Sequence, residues 1–314
     1  SYPLGQYANT DKASTDPCAV DANDPNLAYK FGTMANETVI AQTFNKDLAN
    51  EYGKICGNYS LWSNLTIFWG CGTNLHRTPY NARNHEYYSE DAVLTSGQAV
   101  AFISGGKEYG VIIAPKHLAF NDTEINRTGV SVFMTEQQAR ENELRGTQGI
   151  VENAHVLGVM TAYNRVGITQ DNAHTGLTKN ILRNEWGFQG LISEDFIMNP
   201  NYAVLKEYAL NGGTMTTFTG ENTMAAVSEK FAYWTTENVG QDTELMGAIK
   251  QAMTWQAYAL ANSNALDGMA SSTRLVSVRT WYDNALVAVQ VVFAALTVLA
   301  AAMYVLNDRK SKKQ

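Results

Sequence analysis

An apolar run near the C-terminus restricts the fold of this chain more than any other feature. Residues 285–306 (ALVAVQVVFAALTVLAAAMYVL) contain no charged side chain, and Gln290 is their most polar member. As an α-helix, about 22 residues extend ~33 Å, enough to cross a hydrocarbon core of ~30 Å. Trp281 and Tyr282 precede the run and Tyr304 lies near its end, as interfacial aromatic residues do in membrane proteins. The run therefore predicts a transmembrane helix; a hydrophobic helix that docks on a partner protein is the alternative.

A basic tail follows the apolar run directly. Residues 307–314 read NDRKSKKQ and carry Arg309, Lys310, Lys312 and Lys313. Because basic flanks stay on the cytoplasmic side, we expect the tail inside the cell and everything before Trp281 outside it. The sequence thus predicts a single-pass protein of a bacterial cell membrane, with the lipid bilayer as one partner.

The rest of the chain has the composition of a water-soluble body. Over 314 residues the mean hydropathy is −0.24 and charged residues make up 17%, which excludes a bundle of membrane helices. Four of the 23 basic residues lie in the short tail, so the body is more acidic than the net charge of −7 suggests. Such a surface repels phosphate backbones, and we expect no nucleic-acid partner.

Short apolar runs alternate with amphipathic stretches along the body. The runs predict strands at about 66–70, 111–114, 156–161, 190–193 and 213–216. The stretches between them predict helices at about 41–56, 91–104, 135–153, 177–185, 202–210 and 242–262. Repeated strand–helix units predict an α/β fold with a parallel sheet, either an open doubly wound sheet or a (β/α) TIM-type barrel. No GxGxxG or GxxxxGK[ST] loop follows any strand, which favours the barrel and predicts no cofactor.

These patterns divide the chain into five segments. They are an N-terminal segment of uncertain structure (1–40), a barrel (41–265), a polar stalk (266–284), the transmembrane helix (285–306) and the cytoplasmic tail (307–314). The segment before residue 41 is too short and too polar to supply the first strand–helix units of an eight-stranded barrel. We therefore expect an incomplete barrel in this chain, completed by an upstream domain or by a second chain.

Polar residues cluster directly after the predicted strands. The segments are GTNLHRTPYNARNHEYYSED, KHLAFNDTEINR, AYNRVG and EDF. In a parallel barrel the carboxyl ends of the strands meet at one mouth. We therefore expect Arg83, Lys116, His117, Arg127, Tyr163 and Asp195 to converge there. A carboxylate among such neighbours stays ionised, and it can attack an electrophilic carbon or bind sugar hydroxyls. No metal site is expected.

These segments resemble glycoside hydrolase family 3, the β-glucosidase-like retaining exo-glycosidases. The matching pieces are AQTFNKDLANEYG, GTNLHRTPYNARNHEYYSED, KHLAFNDTEINR, VMTAYNR, LRNEWGFQG and LISEDF, in the family's order and spacing. The resemblance implies a barrel in which Asp195 is the nucleophile. It also implies that Arg83, Lys116, His117, Arg127 and Tyr163 bind an oligosaccharide or glycoside substrate. The family usually has a further sugar-binding aspartate near the start of the barrel. Only Asp11 lies at roughly the right distance in this sequence, so the resemblance assigns this role to Asp11.

The chain also departs from the family pattern. Asp11 lies in NTDKAS without the Gly and Pro of the usual DGP-type turn, Phe196 replaces a Trp, and Ala82 replaces a Gly. Retaining hydrolysis needs a second carboxyl about 5 to 5.5 Å from the nucleophile, and many members supply it from a separate domain. The loop KHLAFND, in place of a KHFPGHG-like one, argues against N-acetylglucosaminide substrates.

We therefore expect a membrane-anchored retaining exo-β-glycosidase of β-glucosidase or β-xylosidase type, acting on oligosaccharides. The alternative is a non-catalytic cell-surface protein that keeps a degenerate barrel for sugar binding or assembly.

Several candidate residues have simpler structural interpretations. Asp195 could bridge Arg83 and Arg127 without reacting. We expect Glu194 to make a packing or loop contact, because neighbouring side chains on a strand face opposite sides. Three acidic residues should anchor a loop and cap the next helix, where negative charge suits the helix dipole; they are Glu86, Glu90 and Asp91. Cys56 and Cys71 are more consistent with buried free thiols than with a disulfide.

Overall fold

The computed structural model of this chain describes residues 34–62, 65–195, 204–216, 234–265 and 281–311. Asp11, Cys18, Phe196 and most of the predicted stalk lie outside these ranges. The chain divides into two compact units, Ser1–Gly268 and Met269–Gln314.

Among the described residues, the first unit contains a central parallel sheet of four strands. In chain order these are β1 (Ile67–Gly72), β2 (Ile112–Leu118), β4 (Gly158–Thr161) and β7 (Leu191–Ser193). Neighbours in sequence are also neighbours in the sheet, in the order β1-β2-β4-β7. The first four predicted strands are thereby confirmed. Strand β2 extends beyond its predicted end at residue 114 to Leu118, which brings Lys116 and His117 into the strand.

The predicted fifth strand at 213–216 is not formed as a strand and is reduced to a single β-bridge. Met215 forms one parallel bridge with Ser193 at the edge of the sheet. Within the described ranges the sheet is open, so the parallel α/β architecture is confirmed while the barrel is not closed.

The helices of this unit follow the predicted order with shifted ends. They are α1 (Glu37–Gln42), α2 (Lys46–Trp62), α3 (Ala92–Lys107), α4 (Glu136–Gln138), α5 (Leu144–Ala154), α6 (Leu205–Leu210), α7 (Thr236–Gln241) and α8 (Thr243–Ala261). A π-helical segment, Ala139–Glu143, joins α4 to α5, and a longer π-helix spans Gly176–Glu185.

Side-chain caps explain where several of these helices begin. Asp91 accepts a hydrogen bond from the Leu94 amide at 2.6 Å, and Asp242 accepts one from the Leu245 amide at 3.0 Å. Such caps satisfy amides that have no partner inside the helix. The single helix predicted at 41–56 is instead two, because the chain turns at Phe44, whose φ is 50°.

Helices α2, α3 and α5 pack beside one another against the strands. Phe102 and Ile103 of α3 are fully buried in the same core as Ile150 of α5. The backbones of α2 and α3 approach so closely that a side chain on Gly53 would overlap the carbonyl oxygen of Phe102. Helix α3, packed in this way, connects β1 to β2.

A second, smaller sheet is formed by short strands in the segments that follow β2 and β4. Its strands β3 (Ser131–Val132), β5 (Arg165–Val166) and β6 (Thr169–Gln170) lie in the order β3-β5-β6. Directly after β6, the fully buried Asp171 accepts hydrogen bonds from the amides of Ala119 (3.2 Å) and Ala162 (2.8 Å). Burial raises the pKa of Asp171 well above its usual value, although both amides oppose the shift. Asp171 therefore ties together the segments that leave β2 and β4.

The two described cysteines are buried free thiols, as the sequence favoured. Cys56 lies on α2 and Cys71 on β1. Burial raises the pKa of both thiols, so they remain protonated.

The described part of the second unit is one long helix, α9 (Trp281–Ser311). Its segment Asn284–Met303 is long and apolar enough to cross a membrane. Large apolar side chains along it are exposed, including Leu286, Val291, Phe293 and Leu299. The predicted apolar helix at 285–306 is present.

Candidate active site

Asp195 lies at the carboxyl end of the central sheet, two residues after β7. The residue is 6% exposed. Its Oδ2 accepts a hydrogen bond from Nη1 of Arg127 at 3.1 Å and lies 3.7 Å from Nε2 of His117. The end of β2, the loop after it and the end of β7 thus meet at one carboxylate oxygen.

His117 is held rigidly at the end of β2. Its backbone amide donates to Oδ1 of Asn74 at 2.9 Å, while Nδ2 of Asn74 donates back to the His117 carbonyl at 3.0 Å. Burial lowers the pKa of His117 far below its usual value, and the positive charges of Arg83, Lys116 and Arg127 lower it further. The ring beside Asp195 is therefore a neutral imidazole, which can exchange hydrogen bonds with a hydroxyl group.

Arg83 and Lys116 meet at Glu86, on the wall of the same site. Arg83 makes a two-pronged pair with Glu86, through Nε at 2.8 Å and Nη2 at 2.7 Å. Nζ of Lys116 lies 2.9 Å from Oε1 of the same carboxylate. Burial raises the pKa of Glu86, but its hydrogen bonds and charge interactions with Arg83 and Lys116 outweigh this and lower it overall. Glu86 is therefore ionised and orients both cations.

The expectations for the acidic residues of this loop are met only in part. Asp91 caps α3, as expected. Glu86 does more than anchor the loop, because it connects two predicted site residues.

Ala82, just before Arg83, has a φ of 71°, in the left-handed region that favours glycine. The backbone keeps this conformation although a methyl group is present.

Glu124 connects the two arginines of the site. Its Oε1 accepts a hydrogen bond from Nη1 of Arg83 at 3.0 Å, and its Oε2 lies 3.3 Å from Nη1 of Arg127. Asn121 also donates to Oε1, at 3.0 Å. Glu124 was missed by sequence reasoning, although its position three residues before Arg127 in KHLAFNDTEINR was a signal.

Tyr163 follows β4 and lies beneath Arg127. The Arg127 guanidinium carbon is 4.9 Å from the centre of the Tyr163 ring, and the tyrosine is buried. This cation–π contact helps hold the guanidinium in place. Glu194 is buried as well. The pKa of Tyr208 is raised, chiefly because Tyr208 is itself buried and secondly because of the negative charge of Glu194.

The structure brings together six of the seven predicted site residues, namely Arg83, Lys116, His117, Arg127, Tyr163 and Asp195. Asp11 lies outside the described residues. In the described part of the chain, no group of three His, Cys, Asp or Glu residues is arranged to hold a metal ion.

Residues 26–222 match the family described as glycosyl hydrolase family 3 N terminal domain. The chain belongs to glycoside hydrolase family 3. The match covers more than half of the chain and contains every strand of the central sheet.

Several curated relatives of this family 3 chain carry the name β-glucosidase. A probable β-glucosidase J from Emericella nidulans is 35% identical over 159 residues, which are 51% of this chain and 19% of the relative. A β-glucosidase from Ruminococcus albus is 36% identical over 175 residues, or 56% of this chain and 18% of the relative. The chain therefore spans about a fifth of the length of these relatives.

Solved structures show the same likeness in three dimensions. β-Glucosidase 3B from Thermotoga neapolitana, determined in complex with glucose, gives a TM-score of 0.70 at 27% identity. The alignment covers 79% of this chain and 34% of that structure. A β-glucosidase from Kluyveromyces marxianus gives 0.61 at 27% identity, covering 77% and 30%. The family 3 chain thus corresponds to about a third of each of these structures.

Proposed function

We propose that this family 3 protein is a retaining exo-β-glycosidase with Asp195 as its nucleophile. The observation that carries the proposal is the setting of Asp195, a buried carboxylate held by Arg127 beside a neutral His117. One oxygen of Asp195 attacks the anomeric carbon, and the glycosidic bond breaks with its electron pair on the leaving oxygen. A proton from an acid group completes the leaving alcohol. Water then displaces Asp195 with the help of the same group acting as base, so the anomeric configuration is retained.

The substrate we propose is an oligosaccharide or glycoside ending in a glucose- or xylose-like unit. Arg83, Lys116 and Arg127 offer charged hydrogen-bond donors around Asp195, and such donors suit a ring of sugar hydroxyls. The β-glucosidase names of the relatives support this choice of sugar.

The acid group and the rest of the barrel are proposed to come from an upstream domain or a second chain. Two observations support this. The central sheet is open within the described ranges, and the relatives are about five times as long as the matched segment.

Membrane attachment through α9 is a further part of the proposal. The helix is apolar and exposed over Asn284–Met303, and the basic tail follows it. This arrangement would place the hydrolase outside a bacterial cell and the tail in the cytoplasm.

Substitution of Asp195 tests the enzymatic proposal directly. The sample is the longest natural polypeptide that contains this chain, and the substrate is an aryl β-glucoside, whose good leaving group needs little acid assistance. Asp195→Asn should lower kcat/KM on the order of 10³-fold or more, because the amide keeps the shape but not the nucleophilicity. Glucose binding should persist.

A matched control and a rescue make the test specific. Asp91→Asn should retain activity, because Asn caps α3 as well as Asp does. For Asp195→Ala, added azide should restore turnover and yield the α-glucosyl azide, since azide attacks from the face that Asp195 vacates. A polypeptide that binds glucose but turns over neither aryl β-glucosides nor aryl β-xylosides would favour the non-catalytic sugar-binding alternative.

A further inference from the structure

Charged side chains of alternating sign form one connected network at the end of the sheet. Each member contacts the next within 3.3 Å, and the order is Lys116, Glu86, Arg83, Glu124, Arg127, Asp195. The positive charges of three basic side chains therefore balance the negative charges of three carboxylates. Glu124 joins the half that contains Lys116 to the half that contains Asp195.

Glu124 occupies this central position with both of its carboxylate oxygens. Oε1 holds Arg83 and Asn121 at 3.0 Å each, and Oε2 faces Arg127. Asn121 is itself buried and donates to the Tyr87 hydroxyl at 2.9 Å. The backbone amide of Glu124 donates to the Asn81 carbonyl at 3.3 Å, which links the loop after β2 to the loop after β1. The position of the Glu124 carboxylate is thus determined from several sides.

Arg127 lies between two carboxylates. The same nitrogen, Nη1, is 3.1 Å from Oδ2 of Asp195 and 3.3 Å from Oε2 of Glu124. Its positive charge is therefore shared. If Glu124 carried no charge, the attraction of Arg127 would act on Asp195 alone, and the carboxylate would be a weaker nucleophile.

We propose that Glu124 is a positioning residue of the glycosylation step. It holds Arg83 and Arg127 side by side and takes part of the charge of Arg127 away from Asp195. This inference rests on the proposed function, because it assigns Glu124 an effect on the attack by Asp195.

The test measures trapping by 2-deoxy-2-fluoro-β-glucosyl fluoride as a function of pH. In this reaction Asp195 forms a bond to the anomeric carbon while the carbon–fluorine bond breaks and fluoride leaves, so no acid group is required. Glu124→Gln is the informative variant. Its amide oxygen can still accept from Arg83 and Asn121, while its NH₂ group would face Arg127 and add another donor there.

Two changes are expected in Glu124→Gln, measured in the longest natural polypeptide. The trapping rate on its plateau falls ~3- to 10-fold. The midpoint of the acid limb of the pH profile moves down by about half a pH unit or more, since a nearby negative charge has been removed. Glu124→Asp, which keeps the charge, restores the native midpoint. Glu185→Gln, which breaks the exposed two-pronged pair with Arg140, leaves rate and midpoint unchanged.

The outcomes separate this inference from the proposed function. A Glu124→Gln variant that traps the sugar with the native midpoint, or that merely shows a smaller labelled fraction, overturns the positioning role. Absence of trapping in the native protein overturns the proposed function, and the positioning role with it.

Discussion

Glu143 is a buried carboxylate outside the active site whose charge is poorly compensated. Its side chain is 2% exposed, and its Oε1 lies 3.4 Å from Nη1 of Arg77. The same nitrogen is closer to Asp122, at 2.8 Å. Burial, and secondly the charge of Asp122, raise the pKa of Glu143 to about 8, although the charge of Arg77 opposes this shift. Burial also raises the pKa of Asp122 to about 6. Both values lie above those expected in the unfolded chain, roughly 4.

This difference predicts a pH-dependent effect of Glu143→Gln. The native fold binds these two protons more tightly than the unfolded chain does, so the contribution of this pair to stability is greatest at low pH. This contribution is lost as pH rises from about 4.5 through about 8. The amide cannot ionise. At pH 5 the Tm of the variant should therefore equal that of the native protein or lie slightly below it. At pH 8 the Tm of the variant should be ~2–5 °C higher than that of the native protein.

Thermal melts across this pH range check the expectation. Glu152→Gln is the matched control, because Glu152 is exposed on the same helix, α5, and should give a small difference that is independent of pH. A Glu143→Gln difference in Tm that stays constant with pH, or that becomes more unfavourable as pH rises, would show that the native fold does not raise the pKa of Glu143.

At the residue scale, the sequence predicted which side chains meet at the end of the sheet but not how they contact one another. Residues such as Lys116 and Asp195 could be placed because the carboxyl ends of parallel strands meet at one edge of a sheet. The roles of Glu86 and Glu124 could not be predicted. Their contacts depend on how two loops fold toward each other, and loop conformation leaves no periodic signal in the sequence.

At the element scale, periodicity identified the strands β1, β2, β4 and β7 and the helices between them. Apolar runs bounded by polar loops are typical of buried parallel strands. The extension of β2 to Leu118 was not predicted, because Lys116 and His117 look like loop residues until their buried partners are known. Met215 likewise lies in a segment predicted as a strand. Whether that segment forms a strand depends on its pairing with β7, which the local sequence does not show.

Helix α9 carries the prediction that belongs to this scale. If it spans the bilayer with the tail inside, protease added to intact cells should digest the body and spare an epitope fused after Gln314. The expected readout is a short membrane-bound fragment that retains the epitope. Permeabilised cells are the control, and there the epitope should be lost. Loss of the epitope from intact cells would contradict the proposed orientation.

At the scale of the whole molecule, the chain is a family 3 domain that spans only part of its relatives. Its described sheet presents one mouth where the loops after β1 and β2 meet the end of β7, and the charged network lies there. A closed barrel needs more strands than the four described here. Local sequence patterns therefore could not predict whether the barrel closes. The Asp195 site, by contrast, is assembled from elements that the described residues contain.

The central claim is that Asp195 attacks the anomeric carbon, and mapping the trapped adduct tests it most directly. The longest natural polypeptide that contains this chain is treated with a 2-deoxy-2-fluoro-β-glucoside bearing a good leaving group, then digested and analysed by mass spectrometry. We predict one added fluoroglucosyl group, attached to the carboxylate of Asp195 and absent from Asp195→Asn. An adduct on another carboxylate, or complete turnover with no adduct on Asp195, would contradict the claim.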